Sequence, residues 1–144
     1  MSSYNHILVG LDLSTESQQV IDRVKFLFVD TDTKISVCHI LEPLAFTYGG
    51  DIPVDLSDVQ AQLKEQAVER LASYGAQMNV ESDDQHVILG HPAQEMHAMA
   101  FSENIGLIVV GSHGRHGLSL IFGSTSNSVL HGASCDVLAV RITE

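Results

Sequence analysis

The run Leu107-Ile108-Val109-Val110-Gly111-Ser112-His113-Gly114-Arg115-His116-Gly117 changes character at Gly111. Before that point it is an unbroken series of branched aliphatics, which suits a strand covered on both faces of a parallel sheet rather than a half-exposed one. From Gly111 onward, three glycines fall within seven residues. That density predicts a loop whose backbone approaches something closely or takes positive φ. Four other runs are rich in branched aliphatics, Ile7 to Leu11, Ile35 to Ile40, His86 to Leu89 and Val137 to Ile142, and all but His86 to Leu89 are close to continuously apolar. Their short lengths and their Gly and Asp boundaries favour strands over helix fragments.

Helical periodicity fills the intervals. Val20, Ile21, Val24, Leu27 and Phe28 fall on one face, with Ser14 available as an N-cap. Leu56, Val59, Leu63, Ala67 and Leu71 form a second stripe, opened by a Ser57/Gln60 capping box. A third helix starts at Pro92, a good first-turn residue, and buries Ala93, Met96 and Ala100, with Met96 and Met99 as core filler. A fourth starts near Ser124 and buries Val129, Leu130 and Ala133. Strands alternating with amphipathic helices imply right-handed crossovers and a doubly wound α/β sheet. No repeat, low-complexity tract or linker divides residues 1–144, so one domain is expected. The long connection Glu42 to Asp55 holds Tyr48-Gly49-Gly50-Asp51, a candidate mobile cover for a site.

Composition narrows the partners. With 44% hydrophobic residues and 17% charged ones over 144 residues, the chain has the makings of one packed core. Its formal net charge of -11, with seven Lys and Arg, repels phosphate backbones, so no nucleic acid and no anionic membrane is expected as a partner. The amino end lacks a basic leader, and no stretch approaches the roughly 18 apolar residues of a membrane span. A cytoplasmic location follows as the expectation, with Cys38 and Cys135 as buried reduced thiols.

In an open α/β sheet ligands bind beyond the carboxyl ends of strands, where strand order reverses. The residues there are Asp12, Ile40-Leu41, Gly90-His91-Pro92 and the glycine-rich stretch with Gly123-Ser124-Thr125 after it. Successive N–H groups in such a loop can form an anion-binding concavity, and free N–H groups at a helix start also favour phosphate. Arg115 is the basic side chain available to it. Neither a Walker A loop nor a dinucleotide fingerprint is present. Glycines that shape a turn, and Ser124 as a plain helix cap, are the bland alternatives. Asp12 likewise reads as a helix N-terminal acid, stabilising by roughly 0.3–1 kcal/mol.

Taken together, His6-Ile7-Leu8-Val9-Gly10-Leu11-Asp12-Leu13-Ser14, Gly90-His91-Pro92, Val109 to Arg115, Gly123-Ser124-Thr125 and Cys135 to Val140 resemble the universal stress protein family over nearly the whole chain. The resemblance implies a five-stranded parallel sheet of order 3-2-1-4-5, helices on both faces, and a homodimer through the last strand, Val137 to Ile142. It implies an adenine nucleotide (ATP, ADP or AMP), with Mg²⁺ as an optional companion. By position, Asp12 would contact the ribose or a metal, and Ile40 would lie against adenine. Gly111, Gly114 and Arg115 would line ribose and phosphates, with His113 in the same loop, while Gly123, Ser124 and Thr125 would hold phosphate oxygens. The family pattern places nine residues between the second and third glycines; this chain has eight between Gly114 and Gly123, with Gly117 in the interval.

Other chemistries find less support. His113-x-x-His116 lacks a third ligand, and His91 and His97 fall on different helical faces, so loop or surface histidines are expected. Ser112 beside His113 is not a nucleophile elbow, and no acid is evident to orient the histidine. A dedicated enzyme is therefore not expected, although Asp12 and a metal could position water for slow ATP hydrolysis. The readings carried forward are a nucleotide-binding stress-response sensor or accessory, a nucleotide-independent dimeric scaffold that binds other, unidentified proteins, and a slow hydrolase. An unpaired final strand would be an aggregation hazard, a physical reason for pairing with a second copy.

Overall fold

The computed structural model describes residues 4–43, 57–113 and 124–143. Along them run β1 (His6–Gly10), α1 (Ser17–Phe28), β2 (Lys34–Leu41), α2 (Ser57–Gln77), a 3-10 turn (Ser82–Asp84), β3 (Gln85–Leu89), α3 (Pro92–Ser102), β4 (Leu107–His113), α4 (Ser124–Gly132) and β5 (Asp136–Ile142). All four strand pairings are parallel, in the order β3-β2-β1-β4-β5, as expected. The order reverses between β1 and β4, whose register pairs Ile7 with Leu107 and Val9 with Val109.

Alternation along each buried strand divides the core in two. Ile7, Val9, Val37, Val109 and Ile142 pack with Val20, Ile21 and Val24 of α1 and Leu71 of α2. Leu8, Cys38, Ile108 and Val110 point the other way, with Met96 and Met99 of α3 and Val129 of α4. Ile7, Leu8, Val9 and Ile108 have no exposed surface, and burial of each such side chain contributes about 1.5–3 kcal/mol.

The expected apolar stripes are covered only in part. Val59 (48% exposed) and Leu63 (37%) stand outside the core, because α2 reaches its neighbours through Ala67, Leu71 and Gly75 farther along. Leu27 and Leu130 are also largely exposed, at the outer edge of their helices. Cys38 is fully buried and free, and burial pushes its thiol up to about 12. Cys135 is free but only partly buried, which corrects the expectation for it.

Three helices end through residues in the left-handed region: Asp30 (φ 60), Asn79 (φ 58) and Asn104 (φ 54). Asp and Asn tolerate that conformation better than other side chains. After α3 the reversal is closed by Ile105 N–H donating to Ala100 O at 2.9 Å. At the far edge, Gln19 of α1 holds the residue after β5: its Oε1 accepts from Thr143 N–H at 2.9 Å, while its Nε2 donates to Thr143 O.

Candidate functional site

The reversal point is built from the ends of β1, β2 and β4. Leu11 N–H donates to Cys38 O at 2.9 Å and prolongs the β1–β2 pairing by one step. The chain then turns through Asp12, which is exposed, and Leu13, which is buried with φ 63. A leucine in that conformation costs roughly 1–2 kcal/mol, which its burial offsets.

Asp12 Oδ1 accepts three bonds: from Ser14 N–H at 3.0 Å, Ser14 Oγ at 2.7 Å and Ser17 Oγ at 2.9 Å. Ser14 is not the N-cap of α1: the helix begins at Ser17, with Glu16 in the cap position and no side-chain cap bond, and Ser14 contributes its carbonyl, which accepts from Ser17 N–H at 3.0 Å. Ser17 is only 2% exposed, so its hydroxyl is a buried donor aimed at a surface carboxylate. Two longer-range bonds hold the turn: Tyr74 Oη of α2 donates to Ser14 O at 2.9 Å, and His39 Nδ1 of β2 lies 2.7 Å from Leu11 O. Sequence reasoning missed Ser17, Tyr74 and His39; the Asp12-x-Ser14-x-x-Ser17 spacing was the available signal for the first.

Gly111 differs from its expectation. It belongs to β4, not to a loop, since β4 continues through His113 and pairs Gly111 with Val140 and His113 with Ile142. It is absent from the positive-φ glycines. A Cβ there would meet Ile142 Cγ1 and Val20 Cγ2, both at 3.2 Å. The glycine thus sits where α1 and β5 close tightly over β4, and a side chain there would have to displace Val20 and Ile142 by a few tenths of an ångström.

Ile40 is 8% exposed and belongs to the cluster beneath α3. At Gly90-His91-Pro92 the β2–β3 ladder gains one more step, Gly90 N–H donating to Leu41 O at 2.9 Å, before Pro92 opens α3. His97 is no free surface histidine. Its Nε2 lies 2.7 Å from Val129 O, so it caps a carbonyl in the last turn of α4. Helix α4 opens at Ser124. Because it returns antiparallel to β4, its first residues lie at the same end of the sheet as Asp12, with N–H groups that have no partner within the helix. Gly114, Arg115, His116, Gly117, Gly123 and the Tyr48 to Asp51 segment lie outside the described residues.

Among the described residues no group of three or more His, Cys, Asp or Glu side chains is placed to hold a metal ion, and no helix is long and apolar enough to cross a membrane. What the turn offers is an oriented carboxylate at the end of the sheet where α4 also opens, an acceptor suited to the hydroxyls of a ligand.

The Universal stress protein family profile matches residues 3–141. Universal stress protein A homolog 2 of Coxiella burnetii (strain RSA 493 / Nine Mile phase I) is 42% identical over 144 residues, 99% of this chain and 98% of its own. Among solved structures, hypothetical protein MJ0577 superimposes with a TM-score of 0.80 at 20% identity, over 99% of each chain. A universal stress protein in complex with cAMP gives 0.66 at 18% identity, over 99% of this chain and 100% of its own. These two likenesses bear on the fold.

Proposed function

The chain belongs to the universal stress protein family, and on that footing we propose that it binds an adenine nucleotide at the carboxyl ends of β1 and β4 and acts as a stress-response sensor or accessory. The observation that carries this reading is the Asp12 turn: an exposed carboxylate, oriented by three donors, at the point where strand order reverses. Support also comes from the relative of the same fold solved with cAMP. In this reading Asp12 takes ribose hydroxyls, and Ile40 borders the base through its small exposed edge. Gly111, His113, Gly114 and Arg115 would follow the sugar and phosphates, while Gly123, Ser124 and Thr125 would donate to phosphate oxygens. ATP, ADP and AMP all satisfy these roles. A Mg²⁺ brought by the phosphates would supply charge neutralisation, with Asp12 as its carboxylate.

The test is to identify by mass spectrometry what the purified protein releases on denaturation, and to titrate ATP, ADP and AMP by calorimetry. Bound nucleotide, or an affinity that falls at least about tenfold in Asp12→Ala, supports the reading; no ligand and no heat with any of the three refutes it. Mg²⁺-dependent phosphate release that vanishes in Asp12→Ala would make the protein a slow hydrolase instead. One observation favours the scaffold reading as the second choice: the glycine at the head of the motif is accounted for by packing against Val20 and Ile142. A homodimer through the free edge of β5 is compatible with both readings, and sedimentation tests it.

A further inference from the structure

At the end of the sheet opposite Asp12, α1 and α2 both terminate beside the start of β2, and an open cleft of about 550 Å³ lies between them. That volume is in the range of ligand and side-chain pockets, roughly 300–1,000 Å³. Val24, Met78 and Val80 beneath the cleft are buried core residues, and its accessible apolar surface comes from Phe28, Val29 and Ile35. Its rim carries Asp30, Glu81 and Asp84 against Lys25 and Lys34, and Lys34 is already engaged by Asp84 at 3.5 Å. Asp32 and Asp83, both exposed, extend the two acidic loops. The carboxyl ends of α1 and α2 add partial negative charge to the same rim. One wall includes Val29, 64% exposed, and the same end of α1 leaves Phe26 74% exposed.

An apolar floor inside an acidic rim selects its occupant by charge. A second copy of this chain, with seven Lys and Arg against eighteen Asp and Glu, has little positive charge to offer this rim. We infer that this cleft docks a basic, apolar segment of a partner protein, with an aliphatic or aromatic anchor against Phe28, Val29 and Ile35 and Lys or Arg side chains against the Asp30–Asp32 and Glu81–Asp84 loops. Asp12, Ser14 and Ser17 do not line the cleft, although Gln77 on its wall is bonded to Gln18 in the first turn of α1.

The experiment uses the full chain and a fluorescein-labelled synthetic peptide rich in lysine and leucine, with an all-lysine peptide of equal length beside it, read by fluorescence anisotropy. Glu81→Lys/Asp83→Lys should weaken the lysine–leucine peptide about tenfold. The control reversal Glu65→Lys/Glu69→Lys, on exposed positions of α2 away from the cleft and with the same change in net charge, should shift it less than about twofold. Val29→Ser should cost about threefold, and the all-lysine peptide should bind at least about fivefold more weakly, because both lack part of the apolar contact. Circular dichroism confirms that the variants, all at exposed positions, remain folded. Equal weakening by both charge reversals, equal binding of the two peptides, no binding at all, or peptide-independent dimerisation abolished by Val29→Ser would each overturn the assignment.

Discussion

Replacing Gly111 separates the two reasons a glycine could stand there. Strand preference alone would reward Gly111→Val, since a β-branched residue gains up to about 1 kcal/mol over glycine in a strand. Packing argues the reverse. The first added carbon would sit 3.2 Å from Ile142 Cγ1, 3.2 Å from Val20 Cγ2 and 3.3 Å from Ile142 Cδ1, and overfilling a close-packed core costs roughly 1–3 kcal/mol. Gly111→Ala gains about 0.5–1 kcal/mol from reduced backbone freedom, so its net loss should be about 0–2 kcal/mol. Gly111→Val, with two more carbons to place, should lose about 2–3 kcal/mol. At about 2–4 °C per kcal/mol for a chain near this size, that is a fall in Tm of roughly 4–12 °C. The chain has no tryptophan, so urea unfolding is best followed by far-UV circular dichroism, with the m-value unchanged if only stability moves. Adding Ile142→Val to Gly111→Ala removes the Cδ1 contact and should recover part of the loss, a coupling of at least about 0.5 kcal/mol. If Gly111→Val kept its midpoint while nucleotide affinity fell, the packing account would be wrong.

Ser17→Ala should lower stability by about 1–2 kcal/mol, since it removes a buried hydroxyl bonded to a carboxylate that keeps its Ser14 donors; a change below about 0.5 kcal/mol would mean that Ser17 does not organise the turn. The buried Cys38 thiol, raised from its ordinary value of 9.0 to about 12, keeps its proton in the folded chain where the unfolded chain loses it. Its contribution is therefore fully present below pH 9 and is lost as pH rises toward 12. Denaturation midpoints should fall over that window in the wild type and fall less in Cys38→Ala. Gly114→Val is expected to abolish nucleotide binding by filling the approach to the phosphates while the domain stays folded, with calorimetry and circular dichroism as the pair of readouts.

Parallel strands buried on both faces announce themselves as largely apolar runs, which is why Ile7 to Leu11, Ile35 to Ile40 and Leu107 to Val110 read as strands. The end of β4 does not. Gly111, Ser112 and His113 look like loop residues, and only the partner strand, offering Val140 to Ile142 in register, keeps them extended. Periodicity identified the apolar stripe of α2 but could not say which half of it meets the sheet, so Val59 and Leu63 were assigned inside. At the candidate site, the position of Asp12 followed from strand order, whereas its orientation depends on Tyr74, sixty residues beyond Ser14, and on a leucine in a conformation that leucine seldom takes. No local pattern encodes either.

The Gln19–Thr143 pairing gives the carboxyl terminus a mechanical connection. A side-chain amide does the work of one more strand residue there, and it springs from α1 only two positions after Ser17. Tension applied through a tether at the last residue would reach the helix before β5 began to peel from β4, and it would pull on the element that steadies Asp12.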